Sequence, residues 1–159
     1  MRIGVYPGSF DPVTNGHIEL VKRSINLFDK VIFLLAVNPS KKSVFSVDDR
    51  LLMMKEATKE YPNVTVDFYP GLIVDYCRKV GSSYIIRGLR AVTDFEYEFQ
   101  MAAANEFADP SIDMVFFMSR KEETFISSTA INELFDGGKD ISSLVPPIVV
   151  KMLKEKKGR

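Results

Sequence analysis

The chain has 159 residues, of which 46% are hydrophobic and 26% charged, a length and composition typical of a single globular domain. Its 21 lysine and arginine residues equal its 21 aspartate and glutamate residues, so overall charge does not indicate nucleic acid or an anionic membrane as a partner. The single Cys77 excludes an internal disulfide and a zinc site of several cysteines. The longest apolar stretch, Val31–Val37, is far too short to span a membrane. From both observations we expect a cytoplasmic protein.

Five apolar runs rich in β-branched and aromatic residues alternate with segments of helical periodicity. The runs are almost continuously apolar, which is typical of parallel strands buried on both faces. In chain order, the predicted elements are strand Arg2–Tyr6, helix Gly16–Phe28, strand Val31–Val37, a helix capped by Ser46, strand Val64–Tyr69, helix Leu72–Val80 stopped by Gly81, strand Tyr84–Arg87, helix Asp94–Phe107, strand Asp113–Met118, a helix from Ser127 or Ser128 to Phe135, and a helix after Pro146 and Pro147. This alternation predicts an α/β fold over residues 1–159, a Rossmann-like open parallel five-stranded sheet with helices on both faces in one domain.

In such sheets, ligands bind beyond the carboxyl ends of the strands. The rule selects the loops 7–15, 38–46, 70–72, 88–93 and 119–127, which contain most of the notable polar residues. We therefore expect the functional site at this edge of the sheet.

The first of these loops passes into a helix that carries the only histidine, His17. Gly8 allows close backbone approach, Ser9 offers a hydroxyl, and the helix start presents unpaired N–H groups to an anion. The alternative is a tight turn with a helix cap by Thr14 or Asn15, in which His17 has no chemical task. Neither the G-x-G-x-x-G fingerprint nor the P-loop pattern is present, which argues against a Rossmann dehydrogenase or a P-loop kinase.

Three further loops offer groups that suit phosphate. Residues 39–42 (Pro-Ser-Lys-Lys) place two lysines after the second strand, where the alternative is solvated charge. Arg87 and Arg90 flank Gly88 after the fourth strand, and here the alternative is a salt-bridge network with acidic residues of the next helix. Residues 124–131 (Thr-Phe-Ile-Ser-Ser-Thr-Ala-Ile) hold hydroxyls that are also typical of a routine N-cap.

Together these groups suit a polyphosphate. No nucleophile–base pair is evident, so the pattern favours catalysis by positioning and charge stabilisation over a covalent intermediate. Cys77 lies on an apolar helix face, and we expect it to be a buried structural thiol.

Two segments carry a resemblance to a known family. Residues 8–17 (Gly-Ser-Phe-Asp-Pro-Val-Thr-Asn-Gly-His) resemble the [HT]-x-G-H motif of the nucleotidyltransferase superfamily, and residues 126–131 resemble its I-S-S-T-x-I motif. Thr14 stands where many members have histidine. With residues 39–42 and the block from Ile86 to Glu98, the whole chain is similar to the bacterial phosphopantetheine adenylyltransferase family.

The resemblance implies a reaction and partners. ATP and 4′-phosphopantetheine would give dephospho-coenzyme A and pyrophosphate, the penultimate step of coenzyme A synthesis, with Mg²⁺ assisting and no protein metal ligand assigned. The nucleophile is already an anionic phosphate, so no general base is needed. The family also implies a homohexamer and feedback inhibition by coenzyme A.

The resemblance further implies roles for individual residues. His17 would stabilise the transition state at the α-phosphate of ATP. The residues implied to contact ATP are Ser9, Phe10, His17, Gly88, Leu89, Arg90, Glu98, Glu123, Thr124, Phe125, Ile126, Ser127, Ser128 and Thr129. Those implied to hold 4′-phosphopantetheine are Ser9, Lys41, Ile73 and Arg87.

Two positions depart from some relatives. Ser9 replaces a threonine but keeps the hydroxyl, whereas Glu123 replaces an aromatic residue and so removes a side chain that could stack on adenine. Two alternatives remain at this stage. One is another nucleotidyltransferase, acting on nicotinate mononucleotide or using CTP, and the other is a nucleotide-binding module without catalysis.

Overall fold

The computed structural model describes residues 1–37 and 39–158, apart from the side chain of Thr93. Asn38, which opens the predicted second loop, and Arg159, the last residue of the predicted domain, lie outside the described residues. The strands are β1 Ile3–Gly8, β2 Lys30–Ala36, β3 Val64–Tyr69, β4 Tyr84–Leu89 and β5 Asp113–Met118. The helices are α1 Asn15–Ser24, α2 Val47–Thr58, α3 Ile73–Val80, α4 Val92–Ala108, α5 Ser128–Asp136 and α6 Pro147–Lys157.

All strand pairings are parallel, in the order β3-β2-β1-β4-β5. The predicted five-stranded parallel α/β sheet is therefore confirmed. The chain builds outward from β1 to β2 and β3 on one side and then to β4 and β5 on the other. The order reverses beside β1, and a crevice opens at the carboxyl ends of β1 and β4 for that reason.

Alternate strand residues enter two apolar clusters, one on each face of the sheet. Val5 and Ile85 belong to the cluster that α3 covers, whereas their neighbours Tyr6 and Ile86 belong to the larger cluster. That larger cluster also contains residues of α1, α2, α5 and α6. Burial on both faces explains why the strands lack a polar side in the sequence.

Several predicted boundaries are confirmed by their capping contacts. The Ser46 hydroxyl accepts a hydrogen bond from the Asp49 N–H and begins α2, and Gly81 ends α3 with φ of 73°. Helix α5 begins at Ser128, with Ser127 as its N-cap, which decides between the two predicted first residues.

Other boundaries were wrong by a few residues. β1 continues to Gly8 and β4 to Leu89, two residues beyond each prediction, because ladder bonds to neighbouring strands extend into the glycine-containing segments. Helix α1 ends at Ser24 instead of Phe28, and α4 begins at Val92 instead of Asp94. A short 3-10 helix, Lys121–Glu123, was not predicted. In the part of the chain that the structure describes, no helix is both long and apolar enough to cross a membrane.

Candidate active site

The first loop ends in a reciprocal cap that includes the histidine. The buried Thr14 hydroxyl accepts from the His17 backbone N–H at 3.4 Å, and the Thr14 backbone N–H donates to His17 Nδ1 at 2.9 Å. The predicted cap is thus confirmed at Thr14, with Asn15 as the first helical residue. The cap and a chemical task for His17 are compatible, since only one ring nitrogen is used.

The cap determines the tautomer and charge of the imidazole. Because Nδ1 accepts a hydrogen bond, the proton lies on Nε2, which makes Nε2–H the remaining donor of the ring. Burial, and after it the positive charges of Arg90 and Arg87, together lower the pKa of His17 from 6.5 to about 3. His17 is therefore a neutral hydrogen-bond donor at neutral pH.

Phe10 holds the loop against the sheet. Its ring is 3% exposed and contacts Phe33 at 4.4 Å and Tyr6 at 5.2 Å between centroids, and its backbone has φ of 40°. A Cβ on Gly8 would lie 2.6 Å from the Phe10 ring, so glycine is needed there for packing. Gly8 thus permits a close approach within the protein itself.

Arg87 is held by a buried carboxylate. Its Nε lies 3.0 Å from both oxygens of Glu98, its Nη2 lies 2.6 Å from Oε1, and its Nη1 donates to the Pro7 carbonyl at 2.9 Å. Glu98 is 5% exposed. The salt-bridge network considered in the sequence is therefore present, and it aims Arg87 across the gap between β1 and β4.

Residues 124–131, which carry several hydroxyl groups, contact Arg90 and the first loop. The Arg90 backbone N–H donates to Asp94 at 3.0 Å, and its Nη1 donates to the Ile126 carbonyl at 3.4 Å. Ser127 Oγ accepts from the Ala130 N–H, and Ser128 Oγ donates to the Pro12 carbonyl at 2.7 Å. The Ser127 hydroxyl thus caps α5, and the Ser128 hydroxyl holds the first loop.

Two adjoining cavities open at the carboxyl edge of the sheet. The larger, about 580 Å³, contains His17, and the smaller, about 330 Å³, is bounded by α3 and α4. They share Pro7, Gly8, Ser9, Lys41, Arg87, Tyr97 and Glu98. The two cavities therefore form one cleft with a common wall.

Most of the predicted site residues line one or both of these cavities. The predicted ATP contacts that line the larger cavity are Ser9, Phe10, His17, Gly88, Arg90, Glu98, Glu123, Ile126, Ser127, Ser128 and Thr129. Leu89, Thr124 and Phe125 do not line it. Leu89 is the last residue of β4, the Thr124 hydroxyl donates to the Lys121 carbonyl, and Phe125 is exposed. All four predicted contacts to 4′-phosphopantetheine, Ser9, Lys41, Ile73 and Arg87, line the smaller cavity.

Some lining residues were not assigned from the sequence. Tyr97 and Met101, one helical turn apart on α4, line the smaller cavity together with Met114 of β5. Asn105 also lines it, and its spacing from Glu98 on one helix face was the available signal. Burial raises the pKa of Glu123 in the larger cavity, and the nearby carboxylates of Glu19 and Glu122 raise it further.

Comparisons with known proteins agree with this geometry. Residues 5–134 match the family model described as cytidylyltransferase-like. The chain is 49% identical to the phosphopantetheine adenylyltransferase of Caldanaerobacter subterraneus subsp. tengcongensis, over 98% of this chain and 98% of that protein. Proteins of the same name from Desulfosudis oleivorans and Roseiflexus castenholzii are also 49% identical, covering 99% and 100% of this chain and 94% and 99% of theirs. The chain therefore belongs to the cytidylyltransferase-like family and, within it, to the phosphopantetheine adenylyltransferases.

Proposed function

We propose that this chain, as a single domain in the cytoplasm, transfers the adenylyl group of ATP to the phosphate of 4′-phosphopantetheine. The products are dephospho-coenzyme A and pyrophosphate. The observation that carries the proposal is the double cleft, in which Arg87 and Lys41 belong to the wall shared by a larger cavity with His17 and a smaller one with Ile73.

The two cavities suit the two substrates by size and lining. The larger one is bounded by the first turns of α1 and α5, and because the positive ends of helix dipoles favour phosphates, we assign it to ATP. The smaller one combines Lys41 with the apolar side chains of Ile73, Met101 and Met114. A ligand with an anionic end and a long uncharged arm fits that combination.

The reaction forms a bond between an acceptor phosphate oxygen and the α-phosphorus of ATP. The bond from the α-phosphorus to the bridging oxygen breaks, and pyrophosphate leaves with the electron pair. The acceptor oxygen is already ionised, so no proton has to be removed. We assign His17 Nε2–H to the α-phosphate oxygens, where a neutral donor stabilises the growing negative charge without releasing its proton.

Mg²⁺ fits this cleft as an ion carried by the triphosphate. Among residues 1–37 and 39–158, no group of three or more His, Cys, Asp or Glu side chains could hold a metal by itself. Mg²⁺ at nucleotide sites takes most of its ligands from phosphates and water. Of the carboxylates that line the larger cavity, Glu98 is paired with Arg87, whereas Asp94 and Glu123 could approach the ion. When bound, the ion would neutralise phosphate charge.

A homohexamer is the assembly that we propose for this chain, in agreement with an apolar surface on α4. Phe95, Phe99 and Phe107 of α4 are all more than half exposed, as are Met118 and Phe125 nearby in the sequence. The Phe95 and Phe99 rings lie 5.9 Å apart between centroids, and exposed apolar side chains that lie together are a common mark of a protein–protein interface. Coenzyme A contains both a pantetheine arm and an adenylate half, so it would occupy both cavities and act as a feedback inhibitor.

Pyrophosphate release tests the proposed function. We expect release with ATP and 4′-phosphopantetheine together, and none when either is omitted or when CTP replaces ATP. Release with CTP or with nicotinate mononucleotide would instead support another nucleotidyltransferase. ATP binding without turnover under any of these conditions would support a binding module.

A further inference from the structure

Asp11 lies in the first loop but does not line either cavity. Both oxygens of its carboxylate accept backbone hydrogen bonds from the second loop. Oδ2 accepts from the Val44 N–H at 2.7 Å, and Oδ1 accepts from the Phe45 N–H at 2.8 Å. A carboxylate bound by two consecutive N–H groups is a strong, directional contact between two loops.

These two contacts lie close to Lys41 along the chain. Val44 follows Lys41 by three residues, which limits their Cα separation to about 11 Å. Residues 39–43 are exposed, whereas Phe45 is 2% exposed and belongs to the larger core cluster. The Asp11 carboxylate thus holds the second loop between the buried Phe45 and the exposed residues 39–43, which we call the Lys41 arm.

The first loop is held by other contacts that do not need the Asp11 side chain. Buried Arg50 donates from Nη1 to the Ser9 carbonyl at 3.1 Å. Asn132 Nδ2 donates to the Asp11 backbone carbonyl at 3.1 Å, and Ser128 Oγ donates to the Pro12 carbonyl. The first loop can therefore keep its conformation when the carboxylate is changed, whereas the Lys41 arm loses a direct attachment to it.

We propose that Asp11 is a positioning residue that sets Lys41 relative to the first loop, and so aligns the acceptor with the ATP side of the cleft. The inference rests on the proposed function, because it takes Lys41 as a contact to 4′-phosphopantetheine. Without the carboxylate, the arm spends only part of its time in the binding conformation. The apparent affinity for the acceptor is multiplied by that fraction, while His17 and its cap are unchanged.

The test is Asp11→Asn, which keeps the size of the side chain but turns an NH₂ group toward one of the two N–H donors. We expect the Kd of 4′-phosphopantetheine, measured by calorimetry without ATP, to rise about 5- to 30-fold, the range that one lost contact of this kind supports. The acceptor KM should rise in parallel, with a much smaller change in kcat and in the KM for ATP. An unchanged acceptor Kd and KM would overturn the proposal, and so would a loss of kcat with both KM values unchanged.

A double-mutant cycle tests whether Asp11 acts through Lys41. If it does, Asp11→Asn adds little to the acceptor Kd in a Lys41→Ala background, whereas additive effects would contradict the proposal. Asp109→Asn is the matched control. Asp109 also accepts a backbone hydrogen bond, from the Ser111 N–H at 3.0 Å, but it precedes β5 and so lies at the opposite edge of the sheet from the cleft. Its replacement should leave the acceptor Kd unchanged.

Two measurements keep this test separate from that of the proposed function. Absence of pyrophosphate release from the unmodified protein would contradict the proposed reaction, whereas the Kd comparison needs no turnover. If Asp11→Asn does not fold, Asp11→Glu takes its place, since it keeps the charge but moves the carboxylate by one methylene away from the Val44 and Phe45 N–H groups. We expect the same rise in the acceptor Kd, and an unchanged Kd would overturn the proposal.

Discussion

Replacing His17 by asparagine separates the two tasks of the imidazole. The Asn Oδ1 atom occupies nearly the same place as His Nδ1, so it can still accept the Thr14 N–H, which lies 2.9 Å from Nδ1 in the structure. Asparagine has no counterpart of Nε2, so the donor proposed for the α-phosphate is removed. His17→Ala removes both functions and is the matched comparison.

The magnitudes of the two effects follow from these contacts. Loss of a single donor to developing transition-state charge costs about 2.7–4 kcal/mol, or roughly 10²- to 10³-fold in kcat. We expect this loss in both variants, with the KM for ATP nearly unchanged. Loss of the hydrogen bond from the Thr14 N–H to the side chain of residue 17 costs about 1 kcal/mol of folding free energy, and we expect that cost for alanine and much less of it for asparagine.

Steady-state pyrophosphate release and urea unfolding measure the two quantities on the same preparations. A His17→Asn variant with kcat within about tenfold of the unmodified protein would refute the assigned role, since a tenfold change is only about 1.4 kcal/mol of barrier. Equal stability of the alanine variant and the unmodified protein would refute the capping contribution.

Three further predictions concern charge and assembly. The pKa of His17 is lowered in the folded state from 6.5 to about 3, so protonation favours the unfolded chain. Stability that is present above pH 6.5 should therefore be lost as the pH falls toward 3. His17→Asn should reduce this pH dependence of stability, measured by urea unfolding at each pH. Glu98→Ala leaves the Arg87 guanidinium without its buried carboxylate and should lower the free energy of unfolding in urea by about 3–5 kcal/mol, with a smaller loss for Glu98→Gln. A loss below about 1 kcal/mol for Glu98→Ala would contradict the energetic importance of the pair. Phe95→Glu combined with Phe99→Glu should dissociate the assembly in sedimentation velocity, and an unmodified protein that sediments as a monomer would contradict the hexamer.

Several elements could be predicted because their signals are local. Ser46 and Gly81 bound helices through contacts within one turn, and β3 and β5 were predicted with their observed limits. The extension of β4 to Leu89 could not be predicted in the same way. Its last residues continue as a strand because β5 pairs with them, and that pairing partner lies more than 20 residues away in the sequence.

The site shows the same division. The residue types at the carboxyl ends of the strands indicated a phosphate site, since the parallel arrangement brings those ends to one edge. The sequence left open whether Arg87 pairs with an acidic residue or is free for phosphate, and the structure pairs it with Glu98 while it still lines the cleft. That outcome depends on how α4 docks beside β4.

The sequence alone therefore determined the parallel α/β architecture, the edge of the sheet at which the cleft opens, and the residue types available there. Only the tertiary structure decided that Glu98 orients Arg87 and that Asp11 ties the Lys41 arm to the first loop. Strand and helix periodicity arises from neighbours a few residues apart. The orientation of a side chain in the cleft depends instead on hydrogen-bond partners that only the packing of separate elements brings within reach.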